Sequence, residues 1–352
     1  MYTCLQYKNN ILKNNSFTPL KILIIAPSWV GDLVMAQSLL KLLKQQNTFS
    51  QIHIVVSEYL VPLVQRMPEV EKILISPFKH GELCIRQRIA FAKKIQHENY
   101  DQAIVLPNSW KSALIPFFAN IPKRTGWRGE MRYFLLNDIR ILKPQKLLLM
   151  VERFLALGLL KNKNIPKNYF LPQLETTKQF IEQTLKKLNL TITTKPILAF
   201  CPGAEYGPAK RWPTNYFAKV AKEKVKEGWE IWLFGGNKDQ EITAKIQEES
   251  GNVCIDLAGK TNLGEAIDLL SLSTFVVTND TGLMHVAAAL DKPMIAIYGS
   301  SSPSFTPPLS NKAKIISLNL ECSPCFARVC PKNHFKCMQD LFPEMIIKFI
   351  HT

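Results

Sequence analysis

FVVTNDTGLMHVAAAL, residues 275–290, reads as a buried strand, a short turn and a helix. Phe275, Val276 and Val277 favour an extended chain and are continuously apolar, as in a strand covered on both faces. Thr278, Asn279, Asp280 and Thr281 supply turn and N-cap chemistry, and Gly282 lets a ligand approach the backbone closely. Leu283 to Leu290 continues as a helix ended by Asp291 and Pro293. The start of such a helix carries free N–H groups and the positive end of the helix dipole. The turn is therefore a ready anion site, for phosphate above all. His285, one turn in, adds a donor. The alternative is an ordinary βα turn capped by Asp280 or Thr281.

The same unit recurs on both sides of this stretch. In the first half, short apolar strands at 21–27, 52–56, 72–76 and 102–106 alternate with helical patterns at 35–45, 59–67, 85–97 and from about 110. Ser28 to Asp32 reads as a loop, and 147–160 as a further apolar helix. After a stretch rich in Lys, Asn, Thr and Pro around a helix at 177–188, the pattern starts again. Strands at 196–201, 230–234, 253–257 and 293–298 then flank helices at 213–226, 237–249 and 264–271. Strands alternating with helices at this spacing predict an α/β protein of two doubly wound, Rossmann-like domains with parallel sheets. Their ligands bind beyond the carboxyl ends of the strands, so the cleft between two facing domains is the expected active site. The expected divisions are a flexible lead-in at 1–20, an N-terminal domain at 21–175 and a linker at 176–195. A C-terminal domain at 196–337 and a terminal helix at 338–352 follow.

Bulk properties narrow the partners. The 352 residues contain 44 Lys and Arg against 28 Asp and Glu, a net charge of +16, which suits an anionic surface or a phosphorylated substrate. The cations are scattered, which argues against a nucleic-acid arm; a merely solvated lysine-rich surface is the plainer alternative. No apolar run reaches the ~20 residues that span a bilayer. The first twenty residues lack the apolar core of a signal peptide, so a cytoplasmic protein is expected.

Several motifs point into the cleft. Asp32 follows Gly31 just after the first strand; it is placed either as a general base or as a helix cap. Lys210 and Arg211, in the strand-to-helix loop 203–213, supply positive charge for a departing diphosphate. Neither GxGxxG nor GxxxxGK[ST] is present, which counts against a dinucleotide or ATP phosphate loop. Residues 123–133, KRTGWRGEMRY, read as a mobile basic loop with stacking surfaces for carboxylates, phosphates and sugar faces. Cys322, Cys325, Cys330, His334 and Cys337 have metal-ligand composition but match no standard finger spacing. Structural zinc, free thiols and a disulfide all stay open.

Six stretches together resemble the ADP-heptose:lipopolysaccharide heptosyltransferases. They are KILIIAPSWVGDLVMAQSL (21–39), VLPNSWKSALIPFFANIPKRTGWRGEMRYFLLND (105–138) and MVERFLALG (150–158) in the first half. CPGAEYGPAKRWP (201–213), VTNDTGLMHVAAAL (277–290) and CSPCFARVCPKNHFKC (322–337) follow. The second stretch and the cysteine-rich tail are similar to the type II members. The resemblance implies the two-domain GT-B architecture and inverting transfer of a heptose from ADP-heptose without a required cofactor or divalent metal. It implies heptosyl-Kdo2-lipid A as acceptor; a sister enzyme acting on Kdo or a later core sugar is the alternative. It implies no nucleic acid, and a place on the anionic cytoplasmic face of the inner membrane of a Gram-negative bacterium, associated peripherally and without insertion. By position, Asp32 resembles the family's general base and Lys210 its diphosphate-stabilising lysine. Asp280, Thr281, Gly282 and His285 fall on its donor motif. Asp239, Gly203, Lys260, Thr261 and Leu263 are further donor-side candidates, and Asn108, Ser109, Lys111, Arg124, Arg128 and Arg132 are candidates for the acceptor's anionic groups. A non-catalytic binder built on the basic surface and the cysteines is the reading from another class.

Overall fold

Each half of the chain folds around its own parallel sheet because its central strands are buried on both faces. The structure, a computed structural model, describes residues 19–78 and 81–351. Most of the lead-in expected at 1–20 lies outside the described residues. In the first domain the strands are β1 (Lys21–Ile25), β2 (Gln51–Val56), β3 (Lys72–Ile75), β4 (Gln102–Val105), β5 (Lys123–Trp127) and β6 (Asp138–Arg140). They lie in the order β3-β2-β1-β4-β5-β6, every pair parallel. The helices are α1 (Val30–Gln46), α2 (Val61–Val64), α3 (Ile85–Gln96), α4 (Trp110–Phe118) and α5 (Met150–Gly158). After the connecting helix α6 (Lys178–Lys187) the second domain repeats the plan. Its strands β7 (Ile197–Cys201), β8 (Glu230–Leu233), β9 (Cys254–Asp256), β10 (Phe275–Asn279), β11 (Met294–Ile297) and β12 (Ala313–Ile316) run in the order β12-β11-β10-β7-β8-β9. Its helices are α7 (Thr214–Lys226), α8 (Gln240–Ser250), α9 (Leu263–Leu270) and α10 (Gly282–Ala289), then two four-residue turns, α11 (Lys336–Gln339) and α12 (Glu344–Ile347). Each sheet reverses direction of winding once, between β1 and β4 and between β7 and β10, and a crevice opens at each such switch point.

Four expectations change. Helix α1 begins at Val30, so Gly31 and Asp32 lie in its first turn rather than in a loop. Trp29 at the N-cap makes no side-chain cap, which removed the usual start signal. Half of the supposed mobile basic loop is strand β5, with Thr125, Gly126 and Trp127 buried. The single C-terminal helix is instead α11 and α12, separated around Pro343; Met338, Leu341, Ile346 and Ile350 seal the second sheet's core. Strands β6 and β12 carried no readable period because they are short, half-buried edges.

The domains meet directly. Arg66, just after α2, donates from Nε and a terminal nitrogen to both carboxylate oxygens of Asp268 on α9, at 2.6–3.0 Å. Both side chains are buried. The backbone N–H of Leu174 donates to Ala289 O, and that of Met150 to Phe305 O. Arg66→Ala would leave Asp268 buried without its counter-ion, which typically costs 3–5 kcal/mol. The expected result in a denaturant titration is a lowered midpoint together with easier separation of the domains. A midpoint unchanged within error would show that the pair does not hold the closed arrangement.

Candidate active site

The amino ends of α1 and α10 meet across the cleft. A Cβ on Gly31 would lie 2.6 Å from His285 Cδ2, and one on Gly282 would lie 2.9 Å from Val30 Cβ. Only glycine permits this approach, and it brings two helix N-termini, with their free N–H groups, to one point between the switch-point crevices.

Asp32, in the first turn of α1, is pushed up to about 6 by burial, with the Lys210 ammonium across the cleft partly offsetting the shift. Lys210 donates from Nζ to Asp280 Oδ2 at 2.6 Å, and Asp280 is buried. Two anchors set Lys210 there. Asn279, the last residue of β10, accepts from the Trp212 backbone N–H and donates to Pro202 O, stitching the 202–212 loop to the strand end. From the other side, Ala209 N–H donates to Arg328 O and the Tyr206 hydroxyl to Phe326 O. His285 is buried; burial lowers its pKa to about 4, so the ring is neutral at physiological pH. Its Nδ1 has no hydrogen-bond partner. Thr281 is the N-cap of α10.

The other donor-side candidates lie further along the same strand ends. Asp239 accepts from Gly236 N–H at 2.9 Å, and its carboxylate sits where a Cβ on Gly203 would be, 2.4 Å from Oδ1. Burial raises its pKa. Lys260 is exposed and donates to Asp256 O; Thr261 bonds weakly back to Leu257 O at 3.4 Å; Leu263 opens α9 and packs on the core.

On the opposite wall the first domain encloses a cavity of about 1280 Å³. Asp32 lies on its lining, as do Asn108, Ser109 and Lys111 from the β4–α4 connection. Its other cations are Arg88 and Arg153, which sequence reasoning missed because each sits in an ordinary amphipathic helix. Arg88 stacks 3.8 Å from the Phe78 ring centre, and Arg153 lies 4.6 Å from that of Phe305 in the other domain. The three loop arginines do not line this cavity. Arg132 is a correction: it is fully buried and donates to Trp127 O, Pro107 O and Ser109 O, so its guanidinium has no face for a ligand. Arg124 donates to Leu135 O and Ile121 O, while Arg128 is exposed.

The cysteine-rich tail braces the Lys210 loop from behind. Cys322, Cys325, Cys330 and Cys337 form no disulfide and surround a pocket of about 50 Å³, which His334 and Ala209 also line. Backbone N–H groups of Phe335, Lys332, His334 and Asn333 hold the Cys330 thiol below its ordinary pKa. Among the described residues, no group of three or more His, Cys, Asp or Glu side chains is arranged to hold a metal ion.

A carboxylate of raised pKa facing a lysine and paired helix N-termini can take a proton on one side and meet developing negative charge on the other. The family model for glycosyltransferase family 9 (heptosyltransferase) matches residues 88–336. The chain belongs to this family. It is 46% identical over 342 residues to lipopolysaccharide heptosyltransferase 2 of Escherichia coli K12, covering 95% of this chain and 98% of that one. It is 44% identical over 343 residues to the Salmonella typhimurium protein of the same name, again over 95% and 98%. The solved structure of the E. coli ADP-heptose lps heptosyltransferase II superposes with a TM-score of 0.83 at 41% identity, covering 94% of this chain and 97% of that one. As a family 9 glycosyltransferase with this likeness, the protein has the GT-B architecture: two Rossmann-like domains closing on one cleft.

Proposed function

We propose that the protein transfers L-glycero-D-manno-heptose from ADP-heptose to the first heptose of the lipopolysaccharide inner core, heptosyl-Kdo2-lipid A, with inversion. One observation carries the mechanism: Asp32 and Lys210, from different domains, interact within one cleft. Asp32 takes the proton of the acceptor hydroxyl as that oxygen bonds to the donor's anomeric carbon. The bond from that carbon to the diphosphate oxygen breaks on the opposite face, and ADP leaves with the electron pair. Lys210 and the N–H groups at Thr281 and Gly282 meet the developing negative charge, and neutral His285 adds a hydrogen bond to phosphate. Asp280 releases Lys210 to the diphosphate and binds heptose hydroxyls; Asp239, Gly203, Lys260, Thr261 and Leu263 flank the nucleotide. No divalent metal is needed in this scheme, because a fixed ammonium and two helix ends supply the positive charge.

On the acceptor side, Asn108, Ser109 and Lys111 with Arg88 and Arg153 form the wall that receives the anionic core sugars. Arg128 stays a candidate at the rim. An acceptor whose lipid stays in the membrane requires the enzyme to work at an anionic surface, which a net charge of +16 favours. Among the described residues no helix is long and apolar enough to cross a membrane. The reading is therefore peripheral association at the cytoplasmic face of the inner membrane.

The test is product identity by mass spectrometry after incubation with ADP-heptose and a panel of acceptors. A heptosylated product from the acceptor ending in one heptose, and none from a bare Kdo terminus, is the expected outcome. Product only from the Kdo terminus would keep the donor and overturn the acceptor.

A further inference from the structure

The connection between β5 and β6 puts its largest apolar side chains into water while an arginine is buried beneath them. Phe134 is 90% exposed and Met131 88%, and Tyr133 is also exposed. These values are the highest among the exposed large apolar side chains of the described residues, and they fall within four consecutive positions. A loose surface loop does not account for them, because the segment is tied down from below. Arg132, fully buried between Met131 and Tyr133, donates to three carbonyls on two other stretches of backbone: Trp127 O, Pro107 O and Ser109 O. Leu135 N–H and Leu136 N–H both donate to Arg132 O, and Leu136 is buried. Glu130 N–H donates to Asn108 O, and its carboxylate accepts from Trp110 N–H. Burying an arginine whose pKa is driven down to about 10 by desolvation is costly, and here its hydrogen bonds hold a short turn rigid. The turn in effect fixes Met131, Tyr133 and Phe134 outward.

The surroundings say what they face. Arg128 is exposed at one end of the turn, and its backbone N–H pairs with Arg140 O, so Ile141, 61% exposed, emerges beside it. Exposed Lys143 follows two residues later. At the other end Arg124 lies 5.6 Å from the ring centre of Phe117, itself partly exposed. Apolar tips flanked along the chain by exposed Arg128 and Lys143, with Glu130 as the segment's own acid, fit a segment that sits at an anionic lipid interface, side chains among the upper acyl carbons and cations among the phosphates. The base of the same turn is also the cavity wall: Trp127 and Glu130 line the acceptor cavity beside Asn108, Ser109 and Lys111.

We propose that Met131, Tyr133 and Phe134 form an insertion platform that docks the acceptor domain into the interfacial layer of an anionic bilayer, with the cavity mouth turned to the membrane. This deepens the proposed function, on whose membrane-bound acceptor it rests, and it departs from the expectation of association without insertion. Shallow burial of these side chains adds binding that salt does not screen, unlike charge attraction alone.

The experiment is co-sedimentation with vesicles of phosphatidylethanolamine and phosphatidylglycerol at low and at 0.5 M salt, comparing the full chain with a Met131→Ser/Phe134→Ser variant. The expected result is that the full chain stays partly bound at high salt, where screening removes surface-charge attraction. The variant is expected to bind about tenfold or more weakly at low salt and not at all at high salt. In parallel, heptosyl transfer to a deacylated, water-soluble core acceptor is expected to be the same for both, which shows that the variant is folded and its catalytic cleft intact. Equal vesicle binding by the two proteins at both salt concentrations would overturn the platform. So would a full chain that sediments as a dimer where the variant sediments as a monomer and binds vesicles equally well, since the patch would then join copies of the chain. If neither protein transfers heptose to the soluble acceptor, the proposed function fails, whereas the vesicle result still decides the platform.

Discussion

Asp32→Ala is expected to lower kcat for heptosyl transfer by about 100-fold or more, the range of a general base being ~10²–10⁴. Asp32 is one residue on a cavity lined by many others, so KM should change much less than kcat. The pH dependence carries a sign. Asp32 acts only when ionised, and burial pushes its pKa up to about 6. In the wild type, kcat/KM should therefore climb tenfold per pH unit below about 6 and level off above it. The same burial has a consequence for stability. A raised folded-state pKa means that stability is greatest while the carboxyl is protonated, below the unfolded value near 3.8, and is lost as pH rises through about 6. Asp32→Asn should thus melt a few degrees higher than the wild type at pH 7.5, with the gain gone near pH 4, while being nearly inactive. A variant that loses activity and stability together at neutral pH would mean that Asp32 serves the fold rather than the reaction.

Lys210→Met is expected to lower kcat by ~10²–10³, the usual effect of removing one donor that meets transition-state charge. Two further effects should accompany this loss. The Lys210 charge lowers the Asp32 pKa, so the acid limb of kcat/KM should move to higher pH in the variant. Donor affinity should fall as well, because the diphosphate loses its ammonium; the variant also leaves Asp280 buried without its ion-pair partner and so loses stability, which makes the shifted pH limb the readout that a merely structural role would not produce. An unshifted pH limb with full turnover would remove Lys210 from the mechanism.

Much of this architecture was legible in the residues because parallel strands buried on both faces carry continuous apolar runs, as 22–25, 103–105, 197–201 and 275–277 do in β1, β4, β7 and β10. The same reading could place Asp32 and Asp280 at strand ends, but not bring them together. Their approach depends on Gly31 and Gly282, whose missing side chains leave no local signal, and on Arg66–Asp268, a pair 202 residues apart in the chain. Arg132 illustrates the opposite failure. In sequence it is one arginine among several beside aromatics; only its burial distinguishes a brace from a ligand. Arg88 and Arg153 were hidden in helices of ordinary periodicity. Trp29 makes no side-chain cap, so nothing in the residues marks the start of α1 at Val30, and Asp32 reads as part of a loop.

The central claim is that two domains bring a base and a cation onto one donor–acceptor pair. The direct measurement is ADP release from ADP-heptose in EDTA, with and without an acceptor carrying a single heptose, for the wild type and Asp32→Ala side by side. ADP release that requires the acceptor, persists in EDTA and falls by about 100-fold or more in Asp32→Ala is the predicted result. Release that ignores the acceptor, or that Asp32→Ala leaves intact, would contradict it.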